Sequence, residues 1–124
     1  MRSFYIGDNV QVNAVSDGDL AVLAIGGELD YEVSPQLRAH LVRAIKAGKR
    51  RLVLDLSEVT FIDSTAIGVL AGVIARLDEV GGGSLAVVCT HEKVLQIFEI
   101  TGLDSVITLH RSRDEAVSVL SPAG

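Results

Sequence analysis

The side chains of this sequence that could carry catalytic chemistry are few and lie far apart. The histidines His40, His91 and His110 fall on separate predicted elements and have no metal-ligand spacing with the one cysteine, Cys89. Ser64 lacks the glycine two residues before it that a nucleophile elbow requires. We therefore expect a protein that is not an enzyme and that has no metal, no cofactor and no catalytic residue.

The tripeptide Asp63-Ser64-Thr65 is the segment whose residue types point most specifically to a chemical role. Asp and Ser are preferred N-cap residues, so the residues alone predict the start of a helix. The same place would suit a phosphate on Ser64, because a first helical turn offers the positive end of the dipole and free N–H donors. Asp63 would oppose that phosphate, so the added charge would change the surface rather than strengthen the cap.

The helix predicted from Ser64 to about Val80 has two unlike sides when residues are placed about 100° apart. The side expected to face the sheet consists of Ala66, Ile67, Leu70, Val73, Ile74 and Leu77. The other side is almost bare of large side chains and consists of Ser64, Gly68, Ala71, Gly72, Ala75 and Glu79. Each glycine costs roughly 1 kcal/mol relative to alanine in a helix. Close packing against another helix of the domain, or docking of a partner, would account for them.

Strands alternate with helices along the whole chain, which predicts an α/β fold. Val10–Val15 and Leu20–Ile25 form an antiparallel hairpin, and Phe4–Ile6 adds a short edge strand. The later strands are Leu52–Leu56, Leu85–Cys89 and Val106–Leu109. Three other helices are predicted. The first begins at Ser34, an N-cap residue before Pro35, the second begins after Thr90, and the third begins at Asp114. We expect a mixed, mostly parallel sheet of four or five strands with an N-terminal hairpin and about four helices, in one domain.

Composition narrows the classes of function. The 124 residues are 48% hydrophobic and 22% charged, which fits one packed domain over residues 1–124 with its core at about 10–119. The net charge of −5 argues against nucleic acid, and the basic run Lys46–Arg51 lies where a helix should end. No apolar stretch approaches membrane-spanning length, and the N-terminus has no signal-peptide core. With Cys89 as a buried thiol, we expect a cytoplasmic protein.

Three segments, taken in order, carry a family resemblance. They are Gly26–Asp30, then Leu52–Leu56 with Phe61–Thr65, then Phe98–Leu103. Each motif is weak alone, but together they resemble the bacterial anti-sigma-factor antagonists, small single-domain members of the STAS superfamily. The resemblance covers nearly the whole chain, from about Val10 to Val119.

The resemblance implies a regulator that is switched by phosphorylation. In that family the serine directly after the aspartate, which is Ser64 here, is phosphorylated by an anti-sigma factor that is also a serine kinase. The unphosphorylated protein binds this kinase and displaces a sigma factor, and a metal-dependent phosphatase of the PP2C type restores it. The family's Glu-Leu-Asp turn lies beside the phosphorylated helix. The expected partner-binding residues are Glu28, Asp30, Asp63, Ser64, Thr65, Gly68 and Gly72.

One departure from the family's sequence pattern supports an alternative function for this chain. Family members usually follow the Asp-Ser pair with Ser or Thr and then Gly-Leu-Gly, whereas Ala66 stands here at the first glycine. The alanine adds a methyl group close to the phosphoacceptor. It favours a non-phosphorylated interaction or scaffold module of the same fold, which the intact Asp63-Ser64 pair opposes. In either case a monomer or a weak homodimer is expected.

A phosphoaspartate receiver is a second rival, because Asp55 is predicted near the end of a parallel strand. Receivers also need an acidic pair after their first strand and a lysine after the fifth. This chain offers Asp30 alone at the first place and Thr90-His91 at the second. We therefore expect Asp55 to be a loop-facing structural residue.

Overall fold

One six-stranded sheet organises the fold in the computed structural model, which describes residues 2–7 and 10–120. Its strands, adjacent in chain order, are β1 (Arg2–Ile6), β2 (Val10–Asp17), β3 (Leu20–Leu29), β4 (Arg51–Ile62), β5 (Ser84–Val88) and β6 (Thr108–His110). The first two pairings are antiparallel and the other three are parallel. The mixed sheet and its N-terminal hairpin are confirmed. The expected count of four or five strands is too low, because β1 and the short β6 both join the sheet.

Four α-helices occur in the described residues. They are α1 (Ser34–Lys46), α2 (Ser64–Glu79), α3 (Glu92–Thr101) and α4 (Arg113–Leu120). Gly102 ends α3 with a φ of +77°, a conformation that glycine adopts without the cost of a side chain. A 3₁₀ turn over Leu103–Ser105 follows, so the last strand begins at Thr108 instead of the predicted Val106.

The helices are divided unequally between the two faces of the sheet. Helices α1, α2 and α3 share one large apolar core with one face, and their fully buried side chains include Leu41, Leu70 and Phe98. On the opposite face, α4 covers a smaller cluster with Ala116 and Leu120. Full burial of each large aliphatic side chain contributes about 1.5–3 kcal/mol, so the three-helix face carries most of the stability.

Strand β4 continues well beyond the predicted Leu56 and reaches Ile62. After Leu56 the buried residues of β4 are Val59 and Ile62, which are three residues apart. This spacing arises because the pairing with β3 shifts register twice. These bulges break the two-residue alternation that identifies a strand in a sequence. The extension brings the chain directly to Asp63, where α2 begins.

Asp55 lies inside β4 and is buried, so its expected position facing a loop is wrong. Its Oδ2 accepts hydrogen bonds from Nε and Nη2 of Arg113, at 3.2 and 3.1 Å. Its Oδ1 accepts from the N–H of Ser57, at 3.0 Å, and from the Ser57 hydroxyl. The role is structural, as expected, because the carboxylate joins α4 to the sheet.

Candidate functional site

Asp63 caps helix α2 and ties it to the sheet. Its Oδ1 accepts hydrogen bonds from the N–H groups of Thr65 (2.9 Å) and Ala66 (3.2 Å) and from the Thr65 hydroxyl. The N–H of Asp63 donates to the carbonyl of Leu29, the last residue of β3, at 3.1 Å. The predicted N-cap is confirmed, and the start of α2 is fixed against the end of β3.

The carboxyl group of Asp63 has a pKa below its ordinary value. Partial burial acts to raise this pKa, but donated hydrogen bonds outweigh that effect. The donors are the Thr65 hydroxyl and the backbone N–H groups of Ala66, Thr65 and Tyr31. Asp63 is therefore ionised at neutral pH and places a fixed negative charge directly before Ser64.

Ser64 is the first residue of α2 and is exposed. Within the described part of the chain its hydroxyl has no hydrogen-bond partner. The expectation of free N–H donors around it is wrong for Thr65 and Ala66, because Asp63 already accepts from both. The N–H of Ile67 is also occupied, since it donates to the carbonyl of Asp63 at 3.2 Å. A phosphate on Ser64 would therefore stand on the surface beside a carboxylate, with few unused donors.

Ser34 links the loop after β3 to the same helix end. Its side chain does not cap α1, whose N-cap residue is Val33. The Ser34 side chain is instead buried, 2.8 Å from the carbonyl oxygen of Asp30 and 2.9 Å from the hydroxyl of Thr65. The Ser34 hydroxyl donates to the carbonyl of Asp30, and the Thr65 hydroxyl donates to Asp63. Sequence reasoning missed this contact, which joins residues that are 31 positions apart.

The end of β3, the turn after it and the end of β4 bring acidic and aromatic side chains to this edge. Glu28 is exposed and lies opposite Phe61 in the pairing of β3 with β4. Asp30 Oδ1 accepts a hydrogen bond from the N–H of Glu32 at 3.0 Å. Two aromatic side chains stand out from the surface, with Tyr31 66% and Phe61 47% exposed. Neither aromatic was predicted as a contact residue, and the only signal for Phe61 was its place within the motif that ends at Thr65.

The outer side of α2 is open. Gly68, Ala71, Gly72 and Ala75 are exposed, as the helical periodicity predicted. A Cβ added at Gly68 or Gly72 would meet nothing within 4 Å. Close packing within the described residues therefore does not account for these glycines. Gly72 lines a shallow groove of about 190 Å³ together with Arg38 and Val42 of α1.

Ala66, the departure from the family pattern, lies on the other side of the helix. It has no exposed surface and belongs to the main core. Its methyl group therefore packs inward and does not enlarge the exposed surface around Ser64. The methyl group that was expected close to the phosphoacceptor is buried, and Ser64 is exposed.

The predicted site residues thus fall on two neighbouring parts of one surface. The end of β3 and the start of α2 bring together Glu28, Asp30, Asp63, Ser64 and Thr65. Gly68 and Gly72 follow about one and two turns along the exposed side of α2. Their contact with a partner stays a prediction.

Other kinds of site find no support in residues 2–7 and 10–120. No group of three or more His, Cys, Asp or Glu side chains there could hold a metal ion. The helices of this part of the chain are too short or too polar to cross a membrane. Cys89 is buried, and burial raises the pKa of its thiol despite the hydrogen bond with His91.

Comparison with known proteins gives a consistent result over almost the full length. Residues 11–116 match the STAS domain family. The anti-sigma-B factor antagonist of Bacillus subtilis (strain 168) is 30% identical over 109 residues, which are 88% of this chain and 98% of that protein. The anti-sigma-B factor antagonist of Staphylococcus epidermidis is 26% identical over 106 residues, covering 86% and 97%.

A solved structure shows the same fold. An anti-sigma factor antagonist from Mycobacterium paratuberculosis superimposes with a TM-score of 0.80 at 24% identity, over 90% of this chain and 94% of that one. At this identity the likeness concerns the fold.

Proposed function

The chain belongs to the STAS domain family, and from that premise we propose that it is an anti-sigma-factor antagonist switched by phosphorylation of Ser64. Its unphosphorylated form binds an anti-sigma factor that is also a serine kinase, and this binding releases a sigma factor in the cytoplasm. Phosphorylation ends the interaction, and a PP2C-type phosphatase restores it. The observation that carries the proposal is the exposed, unbonded hydroxyl of Ser64 at the first position of α2.

Access for a kinase follows from the local geometry. The Ser64 hydroxyl gives up no hydrogen bond within the described residues when a kinase positions it for attack on ATP. The backbone around it is held in place by Asp63 and by the Ser34–Thr65 contact. Ser64 is therefore an exposed acceptor on a backbone segment that these hydrogen bonds hold in position.

The effect of the phosphate on binding follows from electrostatics. A phosphoserine adds about −1.5 to −2 charge units at neutral pH. Asp63 beside it is already ionised, and its carboxylate occupies the N–H groups of Thr65 and Ala66. The new charge is therefore poorly compensated within the chain and must be desolvated when a partner docks. A loss of about 3 kcal/mol would weaken binding more than a hundredfold without a change of fold.

The docking surface that we propose combines small residues with exposed aromatics. Gly68 and Gly72 allow a partner backbone to approach α2 closely, because a Cβ at either position would lie more than 4 Å from every neighbouring group of the described residues. Tyr31 and Phe61 offer the large aromatic side chains that often supply most of the energy of an interface. Glu28 and Asp30 supply charge at the same edge, which would select an orientation of the partner.

A constitutive STAS interaction module is the second candidate function. Its support came from Ala66, whose methyl group is buried and leaves the surface near Ser64 unchanged. The two candidates differ in whether Ser64 is modified.

The test is to incubate the protein with an anti-sigma serine kinase and ATP and to map the phosphate by mass spectrometry. We expect phosphate on Ser64, its loss in Ser64→Ala, and unchanged incorporation in the control Ser118→Ala, which alters an exposed serine of α4. Binding of the kinase without any phosphate transfer would favour the constitutive module.

A further inference from the structure

A groove lies between the first three strands and the C-terminal half of α1. It is open to solvent and has a volume of about 400 Å³. Phe4, Leu23 and Ala44 are among the apolar residues that line it. Ser34, at the other end of α1, contacts Thr65 beside Ser64. The groove-lining residues of α1 begin at His40, about 9 Å along the helix from Ser34, and they do not include the residues around Ser64.

The ionisable residues that line this groove are all basic. They are Arg2, His40, Arg43 and Lys49, and within residues 2–7 and 10–120 no Asp or Glu lines the groove. The contrast with a net charge of −5 is marked. Within the described residues Arg2, Arg43 and Lys49 form no ion pair, and the Lys49 ammonium group donates to the carbonyl of Gly18. The groove is thus a locally positive site on an acidic protein.

The surroundings of His40 reflect the same local field. Burial lowers the pKa of His40, and the positive charges of Arg43 and Arg2 lower it further. The His40 ring lies 4.5 Å from the ring of Phe4, and the Arg2 guanidinium lies 5.8 Å from the same ring. Cationic and apolar groups therefore meet in the groove, and none of the described residues lines it with a carboxylate.

We propose that this groove binds an amphiphilic carboxylate, a medium-chain fatty acid. The volume lies within the range of about 300–1,000 Å³ that is typical of small-molecule sites. The acyl chain would cover Phe4, Leu23 and Ala44, and the carboxylate would lie among the cationic groups of Arg43 and Lys49. The apolar lining residues select against small inorganic anions, and the basic lining residues select against neutral and cationic amphiphiles.

The test is an NMR titration of the full chain with decanoate below its micelle concentration, following the backbone amide signals. We expect saturable shifts centred on Leu23, Ala44 and Lys49. Decanol and decyltrimethylammonium, which have the same chain and a neutral or cationic head, should bind at least about tenfold more weakly.

Two double variants distinguish binding in the groove from a general effect of net charge on the affinity for decanoate. Arg43→Gln with Lys49→Gln should weaken decanoate binding at least about tenfold. The control, Lys46→Gln with Lys93→Gln, removes the same charge from exposed residues outside the groove and should leave the affinity unchanged.

Equal binding of the three amphiphiles, equal weakening in both double variants, or shifts centred elsewhere would overturn the proposal. Binding to phosphatidylglycerol vesicles without binding of soluble decanoate would also overturn it, since it would indicate a membrane surface as the ligand. None of these results bears on phosphorylation of Ser64.

Discussion

The two sides of helix α2 differ in side-chain size, in burial and in what they contribute to stability. The side facing the sheet holds large aliphatic residues, and Leu70 and Val73 are each 1% exposed. The outer side has glycine at two positions where a methyl group would meet no other described residue within 4 Å. A helix shaped by stability alone would carry alanine there, since each glycine costs roughly 1 kcal/mol. The difference indicates that the outer side is shaped by something other than the packing of this chain.

The buried side should respond most strongly to truncation. We expect Leu70→Ala to lower the free energy of unfolding by about 2–5 kcal/mol, because it removes a buried side chain and leaves a cavity. Urea denaturation followed by circular dichroism measures this loss. The control Ala71→Ser, one residue away on the outer side, should change stability by less than about 0.5 kcal/mol. Similar losses in the two variants would contradict the proposed division of the helix.

The cap at the start of α2 should have the next largest effect. Asp63→Ala should cost about 0.5–2 kcal/mol, because the N–H groups of Thr65 and Ala66 lose their acceptor. Asp63→Asn keeps an oxygen acceptor and should retain most of the stability. The same urea experiment checks both variants. An alanine variant as stable as wild type would show that the cap is not needed to hold the helix end.

The outer glycines should respond in the opposite direction. Gly68→Ala and Gly72→Ala should each raise stability by up to roughly 1 kcal/mol, because alanine favours the helix and meets no neighbour. Binding to the anti-sigma kinase, measured by calorimetry, should weaken in the same variants. A loss of stability would indicate that the glycines serve packing. Unchanged binding would remove them from the docking surface.

Acid should produce the smallest of these effects. The pKa of Asp63 is lowered in the folded protein, so its ionised form stabilises the fold above the ordinary pKa of about 3.9. That contribution is lost as the pH falls through the lower, folded-state pKa. The stability of wild type relative to Asp63→Asn should therefore be constant above about pH 5 and should decline below about pH 4. A constant difference down to the most acidic pH would contradict the assigned hydrogen bonds.

Sequence reasoning succeeded where local patterns determine the structure. The two sides of α2, the cap at Asp63 and the N-terminal hairpin all follow from spacing and residue type within a few positions. It failed for the second half of β4, because two register shifts replace the alternation expected of a strand. Both edge strands were predicted as segments, over Phe4–Ile6 and Val106–Leu109, but the expected total of four or five strands did not include them both.

Long-range contacts were beyond the reach of local patterns. Ser34 has the residue type and position of a helix cap, yet its hydroxyl contacts Thr65 on the neighbouring helix. Asp55 was expected beside a loop, and its partner Arg113 is 58 positions away. Ala66 was expected to add a methyl group close to the phosphoacceptor, and the structure buries that group in the core. In each case the outcome depends on how the elements pack, which local spacing does not encode.

The central claim is that charge at Ser64 switches binding off. The most direct test is calorimetric binding of the anti-sigma kinase to wild type, Ser64→Ala, Ser64→Asn and Ser64→Asp. The asparagine variant matches aspartate in size without its charge. We predict tight binding by the alanine form, retained binding by the asparagine form, and a loss of about a hundredfold, or about 3 kcal/mol, for the aspartate form. Equal affinity of the alanine, asparagine and aspartate forms would contradict the account.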